Sequence, residues 1–276
     1  MTASNVETHY TVNDLEQAIV SALKALGKDP AALTPDDLAP VDEFHIRGRE
    51  STTELAALVE PAPGTEILDV GSGLGGTARF LADRYRCRVV GIDLTEAYCA
   101  LARRLSGWVG LADRTDFKRG DALELPFADG TFELAWTEHV QMNIADKRAF
   151  YGELHRVLRP DGRLAFHDIF AGDGGDVHFP VPWASGPALS AVARVEDVQR
   201  ILTSLGFAEL AWQDRTEAAL DWFRRALERI RTHGPPPLGI HLLMGADSRA
   251  KLENMVRNLE ERRIVVAMAV MRRAGR

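Results

Sequence analysis

Acids and glycines crowd one short stretch, Glu66-Ile-Leu-Asp-Val-Gly-Ser-Gly-Leu-Gly-Gly76. An apolar run rich in branched residues carries Asp69 and then breaks into glycines, after which Thr77-Ala-Arg-Phe-Leu-Ala82 begins a helix. Glycine lets the chain turn where other residues cannot, and it leaves bare backbone against a ligand. The spelling Gly71-x-Gly73-x-x-Gly76 matches the dinucleotide fingerprint, in which a helix N-terminus holds a pyrophosphate. A second acid, Asp93, closes the next apolar run, Val89-Val-Gly-Ile-Asp93. An acid there accepts hydrogen bonds from both hydroxyls of a ribose, which suits any cofactor built on adenosine. Asp93 also precedes Thr95-Glu96 and suits a helix N-cap.

A second set of reactive side chains follows at strand ends. Phe132-Glu-Leu-Ala-Trp-Thr-Glu-His-Val-Gln-Met-Asn-Ile144 places polar groups at the carboxyl end of an apolar strand, where open α/β sheets bind their ligands. A proton leaving an acceptor there needs a base, and histidine suits that task near neutral pH. His139 is the first candidate, with Glu138 either holding it or binding a cationic group of the cofactor. The next strand ends in Phe166-His-Asp-Ile169; side chains alternate along a strand, so only one of His167 and Asp168 faces the ligand. Beyond it, Gly172 to Ala184 joins a glycine-rich piece to a Pro-aromatic one, whose His178 and Trp183 are candidates to line an acceptor site or to pack a lid.

The run 67–76, then Gly91-Ile-Asp-Leu94, then Gly120-Asp-Ala-Leu-Glu-Leu-Pro-Phe127, resembles the three successive cofactor motifs of class I S-adenosylmethionine-dependent methyltransferases of the small-molecule type. With His45-Ile-Arg-Gly-Arg-Glu50 and Trp136 to Asn143 it resembles the bacterial sarcosine/dimethylglycine N-methyltransferase-like branch. The resemblance implies a Rossmann-like α/β fold: a seven-stranded, mostly parallel sheet with an antiparallel last strand. It implies that Gly71, Gly73 and Gly75 turn around the methionine part of S-adenosylmethionine, and that Asp69 orders that loop or reaches the ammonium. Asp93 would hold the ribose, Leu94 would pack on the adenine, and Asp121 and the Ala122 backbone would meet its edge. Asp168 is favoured over its neighbour as a catalytic acid, beside His139 and Glu138. Gln141-Met142 stands where relatives often carry a histidine, and both are assigned to the acceptor. An amino-acid acceptor calls for an arginine, Arg47 or Arg49; a leading lid would bring His45 to the cofactor. The implied reaction is methyl transfer to a small molecule: an amine, or a secondary metabolite methylated at nitrogen, carbon or oxygen. Two rivals remain: a nicotinamide oxidoreductase, on the literal glycine spelling, and a cofactor-binding module without catalysis. Asp69, the Asp121 motif and a last strand with no second substrate domain stand against the oxidoreductase.

The elements that position these residues are readable from periodicity. Strands are expected near 66–70, 88–93, 114–119, 132–137 and 163–169, with helices near 76–85, 96–106 and 146–158, an alternation that implies a parallel sheet covered on both faces. A helix from Val195 precedes a sixth strand, Gly206 to Gln213, and Arg263 to Met271 is the last. Ahead of the sheet, Asn13-x-x-Glu16 caps a helix ending at Gly27, Asp29 to Asp42 is a connector without periodicity, and Ser51-x-x-Glu54 caps a helix through Val59. The organisation expected is a helical lid segment over 1–60 and a methyltransferase domain over 61–276, with cap elements near 171–194 and 216–262.

The 276 residues carry 33 basic and 40 acidic side chains, a formal charge of −7, which disfavours nucleic acid and anionic membranes as partners. Two cysteines, Cys87 and Cys99, make neither a disulfide framework nor a metal site, so no metal is expected. No signal-like or membrane-length apolar run is present, and a cytoplasmic protein is expected, with a small-molecule acceptor as its partner. A homodimer is compatible with the sequence and is not specified by it.

Overall fold

The computed structural model describes residues 15–275. The motif that leads the sequence becomes strand β1 (Glu66–Val70), a glycine turn and helix α4 (Gly76–Arg84). Before it come α1 (Leu15–Ala25), α2 (Pro35–Asp42) and α3 (Arg49–Val59). After it run β2 (Arg88–Asp93), α5 (Glu96–Trp108), β3 (Thr115–Arg119), β4 (Phe132–Glu138), α6 (Lys147–Val157) and β5 (Leu158–Ala171). The chain continues through α7 (Val195–Ser204), β6 (Phe207–Asp214), α8 (Thr216–His233), α9 (His241–Met244), α10 (Ser248–Glu260) and β7 (Ile264–Arg273).

The strands form one sheet in the order β3-β2-β1-β4-β5-β7-β6, with β7 antiparallel to both neighbours and the other pairings parallel. The seven-stranded sheet expected from the resemblance is therefore present. Chain order reverses at β1, where β2 lies on one side and β4 on the other, so the carboxyl ends of β1, β2 and β4 open a crevice. One face of the sheet is covered by α6 and α7, with Phe150, Leu154, Phe166 and Leu202 fully buried; α3, α4 and α5 cover the other, around Leu55, Leu81, Cys99 and Trp136. Parallel strands buried on both faces account for the continuous apolar runs in the sequence.

Three local expectations change. Residues 35–42 are helical rather than irregular: Pro35 follows Thr34, whose side chain and Asp37's form a reciprocal capping box, while Leu38 and Val41 turn inward. Helix α3 starts at Arg49, not after Ser51; the Ser51 hydroxyl donates to the carbonyls of Ile46 and Gly48 inside the first turn. Asp93 does not cap α5; Thr95 holds that position. Asn13 lies outside the described residues.

Above the sheet's carboxyl edge two smaller cores form a roof. In the first, Trp183, Leu220, Phe223, Leu252 and Met255 pack with Ile46 and Met142. In the second, Ile19, Leu23, Leu38 and Val41 of α1 and α2 pack against Leu74, Leu101 and Leu243. The leading helices thus meet both the glycine turn and the later cap helices. No helix among the described residues is long and apolar enough to cross a membrane.

Candidate active site

The cavity beneath this roof has a volume of about 320 Å³. One end is walled by Asp69, Gly71, Gly73, Asp93, Leu94, Asp121 and Ala122 at the strand ends, the other by Phe44, Ile46, Met142, Trp183, Trp222 and Phe223. His45, Glu138 and His139 lie in its wall as well.

Backbone geometry explains the glycines at the first end. Gly71 has φ +77°, and a Cβ on it would stand 2.2 Å from Val140 Cγ2. Gly75 has φ +81°, and its Cβ would strike the Phe117 ring at 2.5 Å; it does not line the cavity but lets the turn pass close to β3. Asp93 ties the turn to β2: one carboxylate oxygen accepts from Gly73 N and the other from Thr95 N, both at 2.9 Å. Asp121 accepts from Leu123 N at 2.9 Å, an Asx turn at the cavity wall.

Several buried polar atoms in this wall have no partner: Asp69 Oδ2, Ser72 Oγ, Asp42 Oδ1 and Glu138 Oε1. Burial pushes the Asp69 carboxyl well above the usual carboxylate range, with the charges of Glu138 and Asp93 adding to the effect. Unmade hydrogen bonds in a buried site are costly unless a ligand completes them. A ligand with a diol, an ammonium and a positive centre fits this acceptor-rich wall; a pyrophosphate beside Asp42, Asp69, Asp93, Asp121 and Glu138 would not.

Between the two ends lies a knot of histidines around Glu138. Glu138 ends β4; its Oε2 accepts from Trp136 Nε1 at 2.9 Å and Thr77 Oγ1 at 2.8 Å. His45 Nε2 lies 3.1 Å from the Gly48 carbonyl, which only accepts, so this nitrogen carries the proton. The same nitrogen is 2.9 Å from Thr52 Oγ1 and 3.4 Å from Glu138 Oε1. The rings of His45, His139 and His167 stand 5.0 to 6.3 Å apart. Burial holds the imidazoles of His139 and His167 well below the ordinary histidine value, and neighbouring positive charge would push them further down. His139 is therefore neutral at pH 7, its Nε2 enclosed and unpartnered. Its backbone has φ +55°, a left-handed conformation uncommon outside glycine, which turns the chain away from β4 as the ring reaches the cavity. Among the described residues no group of histidines, cysteines or acids is arranged to hold a metal ion.

The loop that carries His139 is gripped from below at both kinds of backbone atom. Asp168 Oδ2 accepts from Val140 N at 3.1 Å and Gln141 N at 3.0 Å, and Oδ1 from Ile169 N at 2.8 Å. Lys147 Nζ donates to the carbonyls of Gln141, Ile144 and Ala191. Burial raises Asp168 to about 6 and lowers Lys147 to about 8. Asp168, favoured in the sequence as a catalytic acid, is fully buried behind the loop and outside the cavity wall; His167 is fully buried and outside it too, its ring against the histidine knot, so neither of the pair lines the cavity. Gln141 is likewise inside, donating to the Ile169 carbonyl at 2.8 Å.

Other expected positions also move away from the cavity. Arg49 pairs with Glu43 and Asp36 and lies over the Phe80 ring; Arg47 forks onto Glu54 at 2.6 and 2.8 Å. His178 pairs with Glu261 at 2.8 Å on the outer side of the cap. His45, Met142 and Trp183 do line the cavity. Sequence reasoning missed Thr77 in the first turn of α4, and Asp42, Thr52, Trp222 and Phe223, whose signal lies only in the folding of α2, α3 and α8 over the crevice.

Residues 68–166 match a family model described as a methyltransferase domain. The stretch from β1 to β5 thus carries a methyltransferase domain. The chain is 26% identical over 219 residues to a glycine/sarcosine/dimethylglycine N-methyltransferase from Actinopolyspora halophila, covering 79% of the chain and 38% of that relative. The chain thus spans well under half of that relative's length. Among solved structures it is similar to a geranyl diphosphate methyltransferase in complex with GPP and sinefungin (TM-score 0.72, 16% identity, 99% of each chain). It is also similar to the [4+2]-cyclase SpnF (TM-score 0.70, 22% identity, 100% of this chain and 98% of that one). One methyltransferase fold therefore houses unlike reactions, and the site has to decide between them.

Proposed function

We propose that the protein binds S-adenosylmethionine and catalyses methyl transfer to a small-molecule acceptor. The observation that carries this reading is the acceptor-rich wall at the β1–β2 crevice, continuous with a second, apolar chamber across His139. When bound, S-adenosylmethionine supplies an electrophilic methyl group on a positively charged sulfur. Asp93 and the turn of Gly71 and Gly73 hold the nucleoside end, Leu94 and Ala122 flank the base, and Asp69 and Glu138 receive the ammonium. His139, neutral and pointed into the chamber, accepts the proton of the acceptor's nucleophilic group; Val140 and Met142 keep water from it. The helical segment before residue 61 acts as a lid, since Asp42, Phe44 and His45 complete the cavity wall.

Calorimetric titration with S-adenosylmethionine, S-adenosylhomocysteine and NAD tests the reading. Binding of the first two without NAD is expected; binding of NAD alone would overturn it. Asp93→Ala is expected to weaken S-adenosylhomocysteine at least about tenfold by removing one bidentate hydrogen-bonding group and loosening Gly73.

The relatives point to different acceptors. One is named for glycine, sarcosine and dimethylglycine, another for geranyl diphosphate, and all of these carry anionic groups. Nitrogen, carbon and oxygen acceptors all need the same in-line approach.

A further inference from the structure

We propose that the acceptor is an uncharged, largely apolar molecule without carboxylate or phosphate, laid against Trp183, Trp222 and Phe223. This rests on reading the opposite end of the cavity as the cofactor's.

Charge carries the inference. The described cavity wall carries the acids Asp42, Asp69, Asp93, Asp121, Glu138 and Asp146 and neither a lysine nor an arginine. Residues 1–14 contain no lysine or arginine either. The cations next in sequence to wall residues are committed elsewhere: Arg47 to Glu54, Arg119 to the Leu94 carbonyl and Arg224 to Glu260. Lys147, beside Asp146, is held by the three loop carbonyls; Lys251, beside Leu252, donates to the Met244 carbonyl at 2.8 Å and pairs with Asp247 at 3.0 Å. Arg79 is fully buried against Asp42 at 2.7 Å, and the Arg49 guanidinium lies between Glu43 and Asp36. A helix N-terminus is the remaining device for an anion. That of α6, at the cavity wall, already has the Asp146 carboxylate accepting from Ala149 N at 2.8 Å. An anionic acceptor would enter a chamber walled by Glu138 with no lysine or arginine to receive it, and buried charges without partners are strongly disfavoured.

Shape agrees with charge. Trp183 and Phe223 are almost wholly buried, and Met142, Ile169 and Met255 complete an apolar face. The Trp183 indole N–H is donated to Ser190 Oγ at 3.0 Å, so the ring offers its apolar surface to the chamber. Asn143 gives its side-chain N–H groups to the carbonyls of Trp183 and Leu189. His139, whose Nε2 has no hydrogen-bond partner, lies in the wall between the two ends, and one hydrogen-bonding function on an otherwise apolar ligand meets it.

The test uses α-naphthol, α-naphthoate and α-naphthyl phosphate, which share one ring system and differ in charge at pH 7. Each is titrated by calorimetry into the full chain, with and without saturating S-adenosylhomocysteine. Naphthol is expected to bind at least about tenfold more tightly than either anion in both series. Trp222→Ala is expected to weaken naphthol several-fold, and Met142→Lys, which places a cation in the wall, to reverse the preference toward naphthoate. Anions binding as tightly as naphthol, or no naphthol binding at millimolar concentration, would overturn the proposal. Failure of S-adenosylhomocysteine to bind sinks the cofactor reading alone, because the charge order read in its absence still decides this one.

Discussion

At the residue scale, His139 and His167 are imidazoles kept neutral by enclosure rather than by a partner. A histidine whose folded value lies below its ordinary 6.5 contributes stability above that pH and loses it as the pH falls toward the folded value. Glu43 and Asp168 act with the opposite sign: burial raises them to about 7 and about 6, so their contributions are present at low pH and fade as the pH rises through those values. Comparison of the wild type with His167→Gln cancels the acids. Between about pH 7.5 and about pH 5.5 the wild type should lose up to about 1.4 kcal/mol that the variant keeps, measured by urea unfolding. Parallel pH curves would show that His167 does not titrate as described. Asp168 gives a second expectation. In Asp168→Asn, an amide nitrogen either confronts the N–H groups of Val140 and Gln141 or displaces the bond from Ile169, costing about 1–3 kcal/mol. Thermal unfolding should show that loss; unchanged stability with abolished turnover would instead return Asp168 to the reaction.

At the element scale, the glycine turn works because β1, α4 and the loop after β4 meet at one point. Gly71→Ala combines a left-handed backbone with a Cβ 2.2 Å from Val140, so calorimetry should show S-adenosylhomocysteine weakened more than about tenfold. Adding Val140→Ala should recover part of that loss, since the clash goes and the backbone strain stays; full recovery would mean that φ is not the constraint. Such elements were legible in the sequence because they are local: runs of Val, Ile and Leu ending in Gly or Asp mark buried parallel strands, and β1 and β2, with Asp69 and Asp93 near their carboxyl ends, follow from that pattern. Helix α2 was not, because Pro35, Pro40 and a run of acids mask its inward Leu38 and Val41. The choice between His167 and Asp168 was not legible either. Alternation says that one faces the ligand, yet neither lines the cavity, because the loop after β4 lies across the end of β5. Arg47 and Arg49 failed as acceptor ligands because Glu54, Glu43 and Asp36 reach them first, a competition that sequence spacing does not display.

At the scale of the whole molecule, the candidate site is assembled from distant parts. Asp42 and His45 come from the helical segment ahead of the sheet, Glu138 and His139 from the end of β4, and Trp222 and Met255 from α8 and α10, all on one cavity. The leading and later helices also share a core through Leu38, Val41 and Leu243, so a change in one is felt by the other. The sheet holds a further constraint in time. Strand β7 is last of the seven along the chain, yet it lies between β5 and β6 and pairs with both. A nascent chain on the ribosome therefore carries β5 with a bare edge and β6 with no neighbour until residues 264–273 have left the exit tunnel. Exposed strand edges invite pairing with other chains. Stalled chains lacking that stretch should be cut readily by protease throughout residues 158–214, and protection should arrive in one step when β7 emerges; earlier protection would show that the half-built sheet stands without it. The interior placement of β7 thus leaves two strands waiting on the last one made, so the order of synthesis and the order of the sheet run against each other.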